Sequence, residues 1–208
     1  MRQDNDPAPE SSAVRPGRMG RMWRLAVERA GLADVAARAL AGRGLGADDL
    51  ARLRAADTLV LAGMADAVRE RHRGDDVRML PEGAARREPG VILLEAGTAG
   101  EQGATGEELL REIALARLGA SGAQSIAVRF DALGLELAQV ALAFGADAWW
   151  GDFGARRVLP LFQANERRAE IQGLLERVGR HAVWLDPRQD ARADQGVADA
   201  ATLVEEHP

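Results

Sequence analysis

Apolar residues recur at helical spacing through the first part of the chain, then switch near residue 91 to short continuous runs that alternate with helical stretches. Met22 to Ala30 and Leu32 to Ala41 read as two short helices separated by Gly31, the second carrying Leu32, Val35, Ala36 and Leu40 on one face. The G-R-G-L-G run at 42–46 ends them, and another helix begins near Asp48. Asp57 is an N-cap candidate for a stronger helix, with Val60, Met64, Val68 and His72 at i+4 steps beside Leu61 and Ala65, closed by Gly74. Val77 to Leu80 is compatible with a short strand, and P-E-G-A-A-R-R-E-P-G, bounded by Pro81 and Pro89, reads as a linker.

From Val91 the pattern is that of a parallel sheet. V-I-L-L-E-A is a continuous apolar run of the kind buried on both faces. A glycine-rich loop leads to T-G-E-E, a capping-box form, and to a helix with Leu109, Leu110, Ile113 and Ala114 that stops at Gly119. S-I-A-V-R-F at 125–130 is the next strand. The stretch from Asp131 to Asp152 then predicts one helix, with Leu133, Leu137, Val140, Ala141 and Phe144 as its apolar stripe, ended by Gly145 and delivered onto the strand A-D-A-W-W. A helix from about Asn165 carries Ile171, Leu174, Leu175 and Val178, and H-A-V-W-L-D is a last extended piece. The order β, α, β, α, β, α, β implies parallel strands joined by right-handed crossovers.

The expected architecture is therefore α/β: an incomplete (β/α) barrel-like parallel sheet of three to four strands, preceded by a helical segment. Its expected divisions are a disordered tail at 1–20, a helical segment at 21–80, a linker at 81–90, a partial barrel at 91–186 and a flexible acidic tail at 187–208, with a short helix expected near its end.

Composition narrows the chemistry. The chain has 208 residues, 47% of them hydrophobic, enough for one sizeable core. Its net charge of -5 gives no basic face for nucleic acid, so no nucleic acid partner is expected. Every basic side chain apart from three His is Arg, interleaved with acids. No apolar run approaches 20 residues and the N-terminus has no apolar signal core, so neither a membrane span nor a secretory leader is expected, and the location expected is cytoplasmic. Zero Cys removes disulfides, thiolate metal sites, cysteine nucleophiles and cysteine-held iron–sulfur clusters together.

Few motifs carry chemistry. Gly97, Gly100 and Gly103 precede a helix N-terminus, where an anion is favoured, but the spacing matches neither the dinucleotide fingerprint nor a Walker loop. Asp152-Phe153-Gly154 spells a kinase motif without any of its companions. His72, His181 and His207 have no metal spacing, and no metal site is expected. No catalytic residue can be assigned.

In a parallel α/β sheet, chemistry collects at the carboxyl ends of strands. Those ends carry Glu95, Arg129 with Asp131, and Trp150 with Asp152, the candidate ligand-binding residues. Ordinary ion pairs at the sheet rim are the competing reading of the same charges. Strand alternation sends one of Trp149 and Trp150 to the core and the other to the opposite face.

The segment G-L-E-L-A-Q-V-A-L-A-F-G-A-D, Gly134 to Asp147, resembles the late-barrel signature of the radical SAM enzymes of futalosine-route menaquinone biosynthesis. Aminofutalosine synthase is the nearest form, with dehypoxanthine futalosine cyclase and the FO synthases as relatives. T-G-E-E-L-L-R-E-I-A-L-A-R-L, I-A-V-R-F and I-Q-G-L-L-E-R-V-G-R-H-A-V-W-L-D are similar to neighbouring segments in the same order, and Gly44 to Val77 echoes an early segment, so the resemblance spans most of residues 32–186. The family's C-x-x-x-C-x-x-C loop is missing, and Ala148, Trp150 and Asp152 stand where the family has an acid, a glycine and a threonine. The resemblance thus implies a truncated, non-catalytic relative with no iron–sulfur cluster and no S-adenosylmethionine. As a partner or scaffold it would act as a homo-oligomer or beside a full-length homologue. A small-molecule, nucleoside-like binding protein or a cofactor-independent enzyme using the rim is the alternative.

Overall fold

A computed structural model of the chain describes residues 20–95, 106–120, 122–153 and 161–185. The two tails, the glycine loop at 97–103, Thr105 of the capping box and His207 lie outside them.

The amino-terminal pattern folds as its spacing indicates. Helices α1 (Gly20–Arg29) and α2 (Ala33–Leu40) are separated at Gly31, whose φ of 66° is a left-handed value that glycine adopts without steric cost. Helix α3 (Ala47–Arg54) follows the glycine run. Helix α4 (Thr58–Arg73) is capped by Asp57, whose carboxylate accepts from the backbone N–H of Leu59 at 2.9 Å and of Val60 at 3.4 Å. Its buried stripe contains Leu61, Met64, Ala65 and Val68.

The chain then enters strand β1 (Asp76–Pro81) and the short helix α5 (Glu82–Ala85). Next come β2 (Val91–Leu94), α6 (Gly106–Gly119) and β3 (Ser125–Arg129). Helices α7 (Phe130–Leu133) and α8 (Leu135–Ala143) lead to β4 (Ala148–Gly151), and α9 (Leu161–Arg177) to β5 (His181–Trp184). All pairings are parallel, in the order β2-β3-β4-β1-β5.

Three sequence expectations are corrected here. The sheet has five strands rather than three or four, and it is open among the described residues. Its order is not the sequential one of a partial barrel, because β1, assigned above to the helical segment, sits between β4 and β5. The linker at 81–90 is part of the domain: Ala84 and Ala85 are buried. The single helix expected after Asp131 is two, broken at Gly134 with φ 79° and ψ 160°, a region essentially restricted to glycine. The buried stripe of α8 is accordingly Ala138, Ala141 and Leu142, while Val140 is 45% exposed.

The two faces of the sheet differ. One carries Val77, Met79, Ile126, Val128 and Trp149, packed in the main core with buried residues of α4, α6, α8 and α9. The other carries Leu80, Ala127, Ala148 and Trp150, a smaller cluster joined by Ala85 of α5 and flanked by Val91, Leu93 and Leu185. The alternation expected of the Trp pair is therefore observed: Trp149 enters the main core and Trp150 the opposite cluster. The Trp149 indole N–H donates to the carbonyl of Ala138 at 3.1 Å.

Candidate functional site

These faces locate a break in the winding of the sheet. The connections through α6, α8 and α9 run over the main-core face, whereas the connection from β1 to β2 crosses the other, where Ala85 packs. Strands β1 and β4 are neighbours, yet the chain leaves their carboxyl ends toward opposite faces. In open α/β sheets such a switch point opens a crevice at the carboxyl edge, and ligands bind there.

All five candidate residues read from the sequence converge on this edge. Arg129, the last residue of β3, donates from Nε to Asp131 Oδ1 at 3.1 Å, and the backbone N–H of Asp152 donates to Asp131 Oδ2 at 3.3 Å. The Arg129 guanidinium lies 4.9 Å from the centre of the Trp150 ring. A second guanidinium, that of Arg86, lies 5.3 Å from the same ring and donates to Glu95 at 3.4 Å. Glu82 ties the two cations together, at 3.8 Å from Arg86 and 3.9 Å from Arg129. Both Arg–Trp distances are within the range of cation–π attraction. The rim ion pair expected as the competing reading is thus present, and it is built around an aromatic ring.

Sequence reasoning missed Arg86 and Glu82, which it placed in a linker. The available signal was the Ala84-Ala85 pair among charged residues: a connection with an apolar step is one that packs. The hydrogen bond from Arg129 to Asp131, together with the charges of Asp131, Glu82 and Glu95, raises the Arg129 pKa above its ordinary value against the opposing effect of desolvation.

The ring at the centre has an unmet requirement. Trp150 is fully buried, and its Nε1–H has no hydrogen-bond partner among the described residues, unlike the Trp149 donor one residue away. A buried donor left unpaired costs about 1 to 3 kcal/mol, so an acceptor arriving there would be bound with that much to gain. Around it the backbone is tight. Gly151 has φ 138°, and a Cβ there would fall 2.5 Å from Asp131 Oδ1. Phe153, the middle of the D-F-G triplet, stacks on Phe130 at 4.5 Å and meets Trp184 edge-on at 5.3 Å, so its part here is to anchor the turn after β4.

The amino edge carries a second polar cluster, also missed. Asp147 accepts from the Arg117 guanidinium, from Arg73 Nε at 2.6 Å, from Ser125 Oγ at 3.0 Å and from the Ile126 N–H at 2.7 Å. Arg117 also donates to the carbonyls of Gly145 at 2.7 Å and Gln124 at 2.9 Å. Burial pulls the pKa of Arg117 down, and the neighbouring Asp147 charge opposes it. All three guanidinium nitrogens of Arg117 donate within the fold, at the edge opposite the switch crevice, so the cluster is a clamp between strands.

No group of three or more His, Asp or Glu side chains among the described residues is placed to hold a metal. The chain has no thiolate for the cluster of the family resembled above, so those residues do not fit that group. No protein-family model, curated protein or solved structure matches the chain.

Proposed function

We propose that the protein binds a small polar ligand at the carboxyl-edge crevice between β1 and β4. The observation that carries this reading is the buried Trp150 ring beneath two guanidinium groups at the switch point of the sheet, its Nε1–H without a partner among the described residues. The described residues of the site supply recognition groups, a ring and paired charges, and binding is the role proposed, with nucleoside-like compounds as the first class to test. A thermal-shift panel of nucleosides, futalosine-type compounds and S-adenosylmethionine tests it. At least one compound is expected to raise the melting temperature of the wild type and not that of Arg129→Ala. A silent panel, or an unchanged response in the variant, would count against the crevice.

A second reading rests on a different observation. Parallel sheets are ordinarily covered on both faces, whereas over the Trp150 face the described helices supply only the four-residue α5, and Val183 is 43% exposed there. This favours an association role: a degenerate relative of the radical SAM menaquinone enzymes serving as partner or scaffold, as a homo-oligomer or with a full-length homologue. Light scattering of the protein alone and with such a homologue discriminates, since a strict monomer that ignores the homologue removes this reading. No helix among the described residues is long and apolar enough to cross a membrane.

A further inference from the structure

We propose that Arg167 and Arg168 of α9 form a surface patch that binds an oxyanion of the phosphate class, on the main-core side of the sheet and apart from the Trp150 rim.

Three rings prepare the patch. Phe130 directly follows β3, Phe153 stands two residues after β4 and Trp184 ends β5, so all three lie at the carboxyl ends of their strands. Phe153 stacks on Phe130 and meets Trp184 edge-on, and both Phe side chains are buried in the main core. Helix α9 follows β4 in the chain and buries Ile171 and Leu175 in the same core. Two successive residues of that helix reach this one aromatic run: the Arg167 guanidinium lies 5.8 Å from the centre of the Phe130 ring, and that of Arg168 lies 4.9 Å from the centre of the Trp184 ring. Attraction to a ring uses the charge of a guanidinium, and its five N–H donors remain for an acceptor.

Those donors are unspent. Both residues are exposed, and neither has a carboxylate partner or a hydrogen-bond acceptor among the described residues. Glu170, on the same helix, bonds to neither. Asp131 is held by Arg129 and by the Asp152 N–H, and Asp152 has further interactions of its own. The opposite face supplies the contrast. There Arg86 and Arg129 also lie over a ring, that of Trp150, but both are paired with carboxylates, Glu82 with each of them. Ring-held cations with free forks of donors fit a phosphate group, whose oxygens accept two N–H bonds from one guanidinium. With a net charge of -5 the molecule as a whole does not attract anions, so an anion that binds does so through local contacts.

Titration of the 15N-labelled full chain with inorganic phosphate and with ribose 5-phosphate, at constant ionic strength against sodium chloride, tests the proposal through the arginine Nε–H resonances. Those of Arg167 and Arg168, assigned from their loss in Arg167→Lys and Arg168→Lys, should shift saturably with at least one of the two compounds, at a midpoint on the order of 1 mM. Arg54 and Arg177 are exposed and also without a carboxylate partner among the described residues, but neither lies over a ring, and their resonances should not saturate. Arg129, already bonded to Asp131, should stay in place. The double variant Arg167→Lys with Arg168→Lys keeps both charges and loses both forks, and should weaken binding about ten-fold or more. Saturable shifts at Arg54 and Arg177 equal to those at the patch, or a double Lys variant that binds as tightly as the wild type, would reduce the effect to surface charge and overturn the proposal. Silence of the Arg167 and Arg168 resonances toward both compounds overturns it as well.

Discussion

Asp147 and Trp150, three residues apart, stand at opposite edges of the sheet and in opposite states of satisfaction. The Asp147 carboxylate is 1% exposed and accepts from four groups on three segments of chain. Removing its charge in Asp147→Asn leaves Arg117 buried without a counter-charge, and breaking a buried pair in this way costs about 3 to 5 kcal/mol. Urea denaturation should show that loss, with the slope unchanged. Gly151→Ala acts at the other edge, where the new methyl would strike the Asp131 carboxylate, so Arg129 should lose its anchor and ligand response should fall with it. Asp34, an exposed partner of Arg52 and Arg38, is held below the ordinary carboxylate range chiefly by the Arg52 hydrogen bond. Its folded pKa is depressed, so its contribution is present above the unfolded value of 3.8 and is lost as pH falls through the lower folded value. Asp34→Asn should therefore lower the melting temperature slightly at neutral pH and leave it unchanged in strong acid. The rim residues Glu95, Arg129, Asp131, Trp150 and Asp152 were legible because each follows or ends an apolar run. The Asp147 cluster was not, because Arg73 lies 74 positions from its partner and no local period encodes it, and Glu82 and Arg86, four residues apart, were hidden by the flanking Pro and Gly that read as a linker.

At the scale of the elements, periodicity located the helices and most strand positions but not the break inside the 131–144 pattern. Local apolar spacing continues across Gly134, and only the backbone angle shows that the chain turns there. An alanine at that position must adopt a region nearly closed to side chains, at a cost of about 1 to 3 kcal/mol. Thermal denaturation of Gly134→Ala should show it, whereas Val140→Ser on the exposed side of α8 should be close to neutral. If the two substitutions exchanged their effects, the single-helix reading would be the better one. The stretch 82–90 shows the complementary failure. Its Pro and Gly content signals a turn, yet a connection that must cross the sheet from the top of β1 to the start of β2 has to pack on what it crosses, and Ala84 and Ala85 do so.

For the whole molecule, the decisive feature is that β1 pairs with both β4 and β5. The amino-terminal segment is therefore not an appendage to a domain beginning at residue 91, because it supplies an interior strand. A fragment spanning 91–185 should show no cooperative thermal transition by circular dichroism, and a cooperative melt would mean that the remaining strands form a core without β1. The same insertion creates the switch between β1 and β4 and so brings Glu82, Arg86, Arg129 and Trp150 to one edge. Strand order is set by pairing between distant segments, which is why a sequential barrel was the natural expectation from the sequence, whereas the described residues form an open sheet. The crevice reading can be tested at its centre by following the indole N–H resonances of the four Trp residues in the 15N-labelled protein during titration with a compound that raises the melting temperature. Trp150 Nε1–H, without a partner among the described residues, should shift most and move in the direction of hydrogen-bond formation, while Trp149, already bonded to Ala138, stays in place. A saturating ligand that leaves the Trp150 resonance where it began would contradict the assignment of the site.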